Sequence, residues 1–247
     1  MPNELNDPND QNDTNMKILA VDTATKSCSA AIVDDGVACA ELTTVNNQTH
    51  SKHLMSMIDT VCDMSGLKIA DMDGFAVTIG PGSFTGLRIG ISAVKGLAWS
   101  LNKPVVGISS LDALAWQCMP AAYPICTLLD ARKQEVYYCR YRFRDGELKK
   151  DRSEQVIAPA EAINDIREPC MFIGNGANLY KEEILEKLGE LAHFAGWNQD
   201  IIRASSVARL SLERFIHHQT DDVALLVPHY IRKSDAELYR KVDYLLK

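Results

Sequence analysis

The sequence predicts an α/β protein built as two lobes with a cleft between them. Three observations carry this. Strand-like and helix-like segments alternate along the 247 residues. "LAVDTATKSCSAAIV" near the start and "TLLDARKQEVYYCRY" in the middle share one pattern: an apolar strand ending in Asp, a short polar turn and a returning strand. Each such unit is followed by helices, so it reads as a duplicated lobe.

The elements follow in order. Residues 1–15, "MPNELNDPNDQNDTN", are rich in Asn and Asp, and are expected to be a disordered tail. Periodic structure begins at Met16, which competes with Met1 as the translation start. From there the chain reads as strand, turn, strand, Asp-Asp-Gly turn and strand. "HSKHLMSMIDTVCDMSGL" reads as a helix from His50, with Leu54, Ile58 and Val61 on one face and Gly66 as its stop. "GFAVTI" is a buried strand, followed by a helix from about Thr85 to Leu101. "KPVVGI" is the next strand, and Ser109 or Ser110 caps the helix after it. The lobe boundary is placed at 107/108, giving lobes 16–107 and 108–247. The second lobe opens with a long β-pair turning at Asp145-Gly146. "CMFIGNGA" is a further strand, before a helix from about Asn178 to Leu188. A helix near Ser205 to His217 and a C-terminal segment complete the chain, its last helix expected to return to the first lobe.

Composition excludes several classes. No apolar run reaches the roughly 18 residues of a membrane span, and the N-terminus lacks the basic and apolar regions of a secretory signal. A cytoplasmic protein is expected. The seven cysteines occur singly with no C-x-x-C pair, so neither a disulfide framework nor a zinc site is indicated. The formal charge is −7, of which Glu4, Asp7, Asp10 and Asp13 belong to the tail. A mildly acidic body is a poor sole binder of nucleic acid, so any RNA contact needs a partner.

"TIGPGSFTGLRIG", Thr78 to Gly90, is the densest glycine segment, and it fits neither the P-loop nor the G-x-G-x-x-G fingerprint. Its helix carries Gly86, Gly90 and Ala93 on one stripe, beside a stripe of Leu87, Ile91, Val94 and Ala98. A glycine within a helix costs about 1 kcal/mol against alanine, so close packing explains the pair better than phosphate binding. His50 and His53 have the wrong spacing for a helical zinc pair and read as a polar helix start. For Asp22 and Asp130 two readings stand: cleft carboxylates for magnesium or catalysis, or turn residues bonding their own backbone. Arg140, Arg142 and Arg144 form a stripe that suits either a solvated strand face or nucleic acid.

"ILAVDTATKSCSAAIVDDG", "HSKHL", "GPGSFTGLRIGISAVKGLAW", "PVVGISSLDALA" and "PHYIRKSDAE" together resemble the TsaB family over Met16 to Glu237. The resemblance implies a two-lobed actin-like (ASKHA, ribonuclease H-like) fold with duplicated mixed sheets flanked by helices. It implies an accessory, non-catalytic role in making threonylcarbamoyladenosine beside the anticodon of tRNAs that read codons beginning with A. The partner TsaD holds the metal and carries out the transfer, the small ATPase TsaE joins them, and tRNA is met through the complex. The pairing surface implied by the resemblance comprises His50, His53, Leu54, Met57, Phe84, Thr85, Gly86, Arg88, Ile89, Gly90 and Ala93. On that reading Gly90→Leu abolishes pairing without unfolding, and a homodimer through the same helices forms in isolation. Asp22, Thr23, Asp130, Gly174 and Gly176 correspond to worn nucleotide-loop positions, because Asp130 is followed by "ARKQE" where an actin-like ATPase needs glycines. No cofactor is assigned to the chain alone, while ATP or ADP is compatible with the interface of the complex. The competing reading is a nucleotide-dependent small-molecule kinase or acyl-transfer enzyme using Asp22.

Overall fold

The structure, a computed structural model, describes residues 16–45, 50–144 and 146–232. The expected disordered tail, the turn residue Asp145 and the end of the C-terminal motif lie outside the described residues. The first half runs β1 (Lys17–Asp22), β2 (Ser27–Asp34), β3 (Val37–Val45), α1 (Leu54–Ser65), β4 (Gly74–Gly80), α2 (Phe84–Leu101), β5 (Val105–Ser109) and α3 (Ser110–Trp116). The second runs β6 (Ile125–Arg132), β7 (Glu135–Arg144), β8 (Glu147–Ile157), α4 (Pro159–Ala162), β9 (Cys170–Ile173), α5 (Asn175–Leu179), α6 (Lys181–Leu188), β10 (Ala192–Phe194) and α7 (Ala204–Ile216).

The duplication is visible in the sheets. One has the order β3-β2-β1-β4-β5 and the other β10-β9-β6-β7-β8. In each, three strands meander antiparallel and two more add in parallel beside the first. β1 and β6 are thus equivalent central strands, covered on both faces. This is why Ile18 to Val21 and Ile125 to Leu129 are continuously buried instead of alternating.

Local signals set the ends of the elements. Asp35 and Gly36 both take positive φ, as a tight hairpin turn between β2 and β3 requires. Gly66 closes α1 in the left-handed conformation, and Ser83 caps α2 by accepting a hydrogen bond from the Gly86 N–H. Of the two candidate caps of α3, Ser109 does the work, accepting from Leu111 and Asp112. His50 to Lys52 form a single 3-10 turn, so α1 starts four residues later than its polar entry suggests. The helix expected from Asn178 begins instead at Asn175 and breaks at Tyr180.

The core joins the two halves. α3 contacts β4 and β5 on one side and β6, β7 and β8 on the other. α7, although it follows the second sheet, lies across β1, β2, β4 and β5. Its fit is close: a Cβ on Gly74 of β4 would stand 2.6 Å from the Phe215 ring. After α7 the chain crosses the first sheet's edge as a strap. The Asp221 N–H donates to the Val105 carbonyl, Lys95 Nζ donates to the Ala224 and Leu226 carbonyls, and the His229 N–H donates to the Ile79 carbonyl. No helix among the described residues is long and apolar enough to cross a membrane.

Candidate functional site: the interlobe cleft and the face of α1 and α2

Two adjoining cavities of about 310 and 260 Å³ open where the ends of β1, β4, β6 and β9 meet. They share Gly82, Ser83, Asp130 and Arg132, so they form one cleft between the lobes. Lys26 and His50 stand on the first lobe's side, Asn175 and Lys133 on the second's, and Arg232 of the strap completes the wall. This is where an open α/β sheet places a ligand. Among the described residues, no three His, Cys, Asp or Glu side chains come together to hold a metal ion.

The two strand-end aspartates differ. Asp130 lines the cleft, and its Oδ1 accepts the Arg132 N–H at 2.7 Å, a turn role. Arg132, Lys133 and Gln134 in this turn all have positive φ, at 60, 54 and 59°. Non-glycine residues seldom take that conformation. Asp22 is fully buried and does not line the cleft. Its Oδ1 accepts from Thr78 Oγ1 at 2.7 Å and from the Ala24 N–H at 3.1 Å, and its Oδ2 has no hydrogen-bond partner. Burial pushes its pKa up to about 7, against the pull of those two hydrogen bonds. Each aspartate accepts an N–H two residues on, as the turn-residue reading has it, and of the two only Asp130 also lines the cleft.

The other nucleotide-loop positions are taken up by packing. Thr23 Oγ1 donates to the Gly86 carbonyl at 2.8 Å, clamping the β1–β2 turn to α2. Gly174, at φ 105°, and Gly176 lie so close to β6 that an added Cβ would meet the Leu128 oxygen at 2.4 and 2.8 Å. Only Asn175, between them, lines the cleft; its Oδ1 accepts the Asp130 N–H.

The same close approach revises the proposed pairing surface. A Cβ on Gly86 would stand 2.1 Å from the Thr23 carbonyl oxygen, and one on Gly90 would stand 2.3 Å from Thr23 Oγ1. The glycine stripe therefore packs inward, against this chain's own β1–β2 turn. Leu54 and Met57 are likewise core residues, 1% and 4% exposed. His50 bonds the Thr25 carbonyl through Nε2. Phe84 and Arg88 are engaged by the strap: Tyr230 stacks on Phe84 at 4.3 Å, and its hydroxyl accepts from Arg88 Nε at 2.9 Å. What remains outward is Thr85 and, despite its bond to Tyr230, Arg88, with Ile89, Ala93 and His53 half-buried. Sequence reasoning missed Met55 and Met64 of α1 and Trp99 of α2, which is 73% exposed. Helical spacing could have found the last, since Thr85, Ser92, Gly96 and Trp99 share the face opposite the buried stripe.

The arginine stripe also resolves differently from either reading. Arg140 is buried, with Nε donating to Asp151 and both terminal nitrogens to Asp165. Arg142 pairs with Glu168 and Asp151, and Arg152 with Asp165. Burial opposes ionisation of Asp151 and Asp165, but the Arg140 hydrogen bonds outweigh it and hold both below the usual carboxylate range. Only Arg144 of the stripe is exposed. Arg140→Ala leaves two carboxylates facing a partly buried gap. It is expected to cost about 2–3 kcal/mol, read as a lower urea midpoint at constant slope.

Comparison with known proteins fits this architecture. The family model described as TsaD, tRNA N6-adenosine threonylcarbamoyltransferase, matches residues 42–239. The tRNA threonylcarbamoyladenosine biosynthesis protein TsaB of Bacillus subtilis is 32% identical over 225 residues, covering 90% of this chain and 96% of that protein. The chain belongs to the TsaB family. Among solved structures, YeaZ from Pseudomonas aeruginosa superposes with a TM-score of 0.77 at 28% identity, over 87% of this chain and 99% of that one. Component A of the (R)-2-hydroxyglutaryl-CoA dehydratase of Acidaminococcus fermentans reaches 0.50 at 13% identity, over 81% of this chain and 98% of that one, a likeness of fold alone. The TsaB assignment rests on full-length similarity, and the two-lobed actin-like fold agrees with the duplicated sheets described above.

Proposed function

We propose that this chain is the accessory, partner-binding subunit of tRNA threonylcarbamoyladenosine biosynthesis. On this reading it pairs with TsaD through the outward face of α1 and α2, TsaE joins the pair, and tRNA is engaged by the assembly in the cytoplasm. The observation that carries the proposal is the set Met55, Met64 and Trp99, large apolar side chains left exposed on the first lobe's two long helices. Trp99, 73% exposed, is the strongest of the three, since Trp is a frequent anchor of protein interfaces. In the absence of TsaD, a second copy of this chain covers the same face. The non-catalytic role is supported by Asp22, Thr23, Gly174 and Gly176, which are taken up by packing instead of lining the cleft.

Light scattering on a sizing column, with the chain and its cognate TsaD, tests the pairing. The double substitution Trp99→Glu and Met55→Glu is expected to weaken association at least tenfold, about 1.4 kcal/mol or more. The far-ultraviolet circular dichroism should stay unchanged, because both side chains are exposed in the single chain. Threonylcarbamoyl transfer to tRNA should fall in parallel. Undiminished association would remove this face from the interface. The cleft itself favours a second reading, a nucleotide-dependent kinase or acyl-transfer enzyme, with ATP or ADP against Lys26 and Arg132. That reading requires nucleotide binding and turnover by the isolated chain.

A further inference from the structure

We propose that Cys126 and Cys170 form an oxidisable dithiol, in which Cys170 reacts first and Cys126 resolves it into a disulfide joining β6 to β9. The two sulfurs are 3.1 Å apart, although 44 residues separate them in sequence. Cys170 Sγ also lies 3.2 Å from the Pro124 carbonyl and donates to it. β6 and β9 run parallel with Cys126 opposite Phe172. Cys170 precedes Phe172 by two residues, which puts both thiols on one face of the sheet. Among the described residues, this is the one pair of cysteine sulfurs in contact.

The surroundings give the two thiols different roles. Cys170 forms part of the wall of a cavity of about 270 Å³, which it shares with Arg140, Arg142, Arg152 and Arg167 and with the carboxylates of Asp165 and Glu168. Cys170 itself is only 1% exposed, so this cavity is the opening through which a small oxidant reaches its sulfur. Cys126 has no such opening. Burial, reinforced by the neighbouring Cys170, pushes its thiol well above the ordinary range, so it stays protonated. A thiol on a cavity wall with a second thiol at contact distance behind it is the arrangement of a reacting and a resolving cysteine.

The chemistry balances with a hydroperoxide as oxidant. The Cys170 sulfur attacks one peroxide oxygen, the O–O bond breaks, and the proton given up by the thiol goes to the departing oxygen, which leaves as an alcohol. Cys170 is then a sulfenic acid. Cys126 sulfur attacks the Cys170 sulfur, the S–S bond forms, the S–O bond breaks, and water leaves with the Cys126 proton. Two electrons pass from the dithiol to the peroxide. The bond formed ties β6, which carries Asp130, to β9, which leads into Asn175, so it fastens the second lobe's side of the cleft.

The test uses the native chain treated with a small excess of hydrogen peroxide, then unfolded, alkylated, digested and mapped by mass spectrometry. The expected result is a cross-linked pair of peptides holding Cys126 and Cys170, the loss of both as alkylatable thiols, and recovery of both with dithiothreitol. In Cys126→Ser, the link should vanish and Cys170 should become trappable by dimedone. Because that substitution falls in a packed core, the wild-type map decides independently. Complete alkylation of Cys126 and Cys170 after peroxide, with the exposed Cys39 oxidised, overturns the proposal, as does a link between any other pair.

Discussion

A Gly90→Leu chain is expected to melt roughly 6–12 °C lower than the parent, whether or not a partner is present. The reason is inside the molecule. The first carbon of any side chain at Gly90 meets Thr23 Oγ1 at 2.3 Å and Val77 Cγ2 at 3.5 Å. Thr23 cannot retreat freely, because its hydroxyl holds the Gly86 carbonyl one turn earlier on the same helix. Leucine must therefore lift α2 from the sheet or expel the β1–β2 turn. Overpacking of this kind costs about 3 kcal/mol at the upper end of its usual range, and each kcal/mol moves a chain of this size by about 2–4 °C. This replaces the expectation, drawn from the resemblance, of lost pairing in an intact fold. Scanning calorimetry of the isolated chain separates the two: an unaltered melting temperature would mean that the glycine stripe faces outward after all.

Asp22→Asn is expected to raise the melting temperature at pH 8, with the gain shrinking as the pH is lowered toward 4. The folded carboxyl titrates at about 7, against 3.8 ordinarily. Below 3.8 both folded and unfolded chains carry the proton and Asp22 imposes no penalty. Between 3.8 and about 7, folding takes up a proton, so stability falls as pH rises. Above about 7 the folded chain holds a buried carboxylate and the full cost is present. That interval corresponds to a ceiling of about 4 kcal/mol. Asparagine keeps an Oδ1 acceptor for Thr78 and Ala24 without the charge, but it buries an unpartnered amide N–H. A net gain of about 1–2 kcal/mol at pH 8 is expected. A stability difference that stays constant from pH 5 to 8 would show that Asp22 does not titrate with folding.

Much of this was legible because it is local. The Asp-Asp-Gly turn, Gly66 at the end of α1 and the serine cap of α3 each act within a few residues, so their chemistry is written consecutively. The duplication was legible for the same reason, as two copies of strand, Asp, turn and strand. β10 escaped notice because three half-buried residues, "AHF", carry no periodicity. β8 appeared only as the foot of a hairpin because its outer residues are charged and paired across the sheet. The site was harder to read than the fold. Two glycines at helical spacing announce a close approach but not what approaches, and the neighbour here is Thr23, more than sixty residues earlier. Arg140, Arg142 and Arg144 alternate as a solvated stripe does, and only the fold brings Asp151, Asp165 and Glu168 to the first two. The contact of Tyr230 with Phe84 and Arg88 spans more than 140 residues and leaves no trace in either segment.

The placement of α7 has a consequence for how the protein is made. A ribosome that has completed the first five strands has released a sheet whose inner face, including Ala20, Ala31, Ala76 and Val106, still awaits Val207, Ala208 and Phe215. Those residues emerge only after the entire second sheet has been synthesised. The N-terminal half therefore cannot mature by itself during translation, and a fragment cut between the two sheets leaves an apolar surface bare. The halves repeat one design, yet they reach the native state as a single cooperative unit, closed by one of the last helices to leave the exit tunnel.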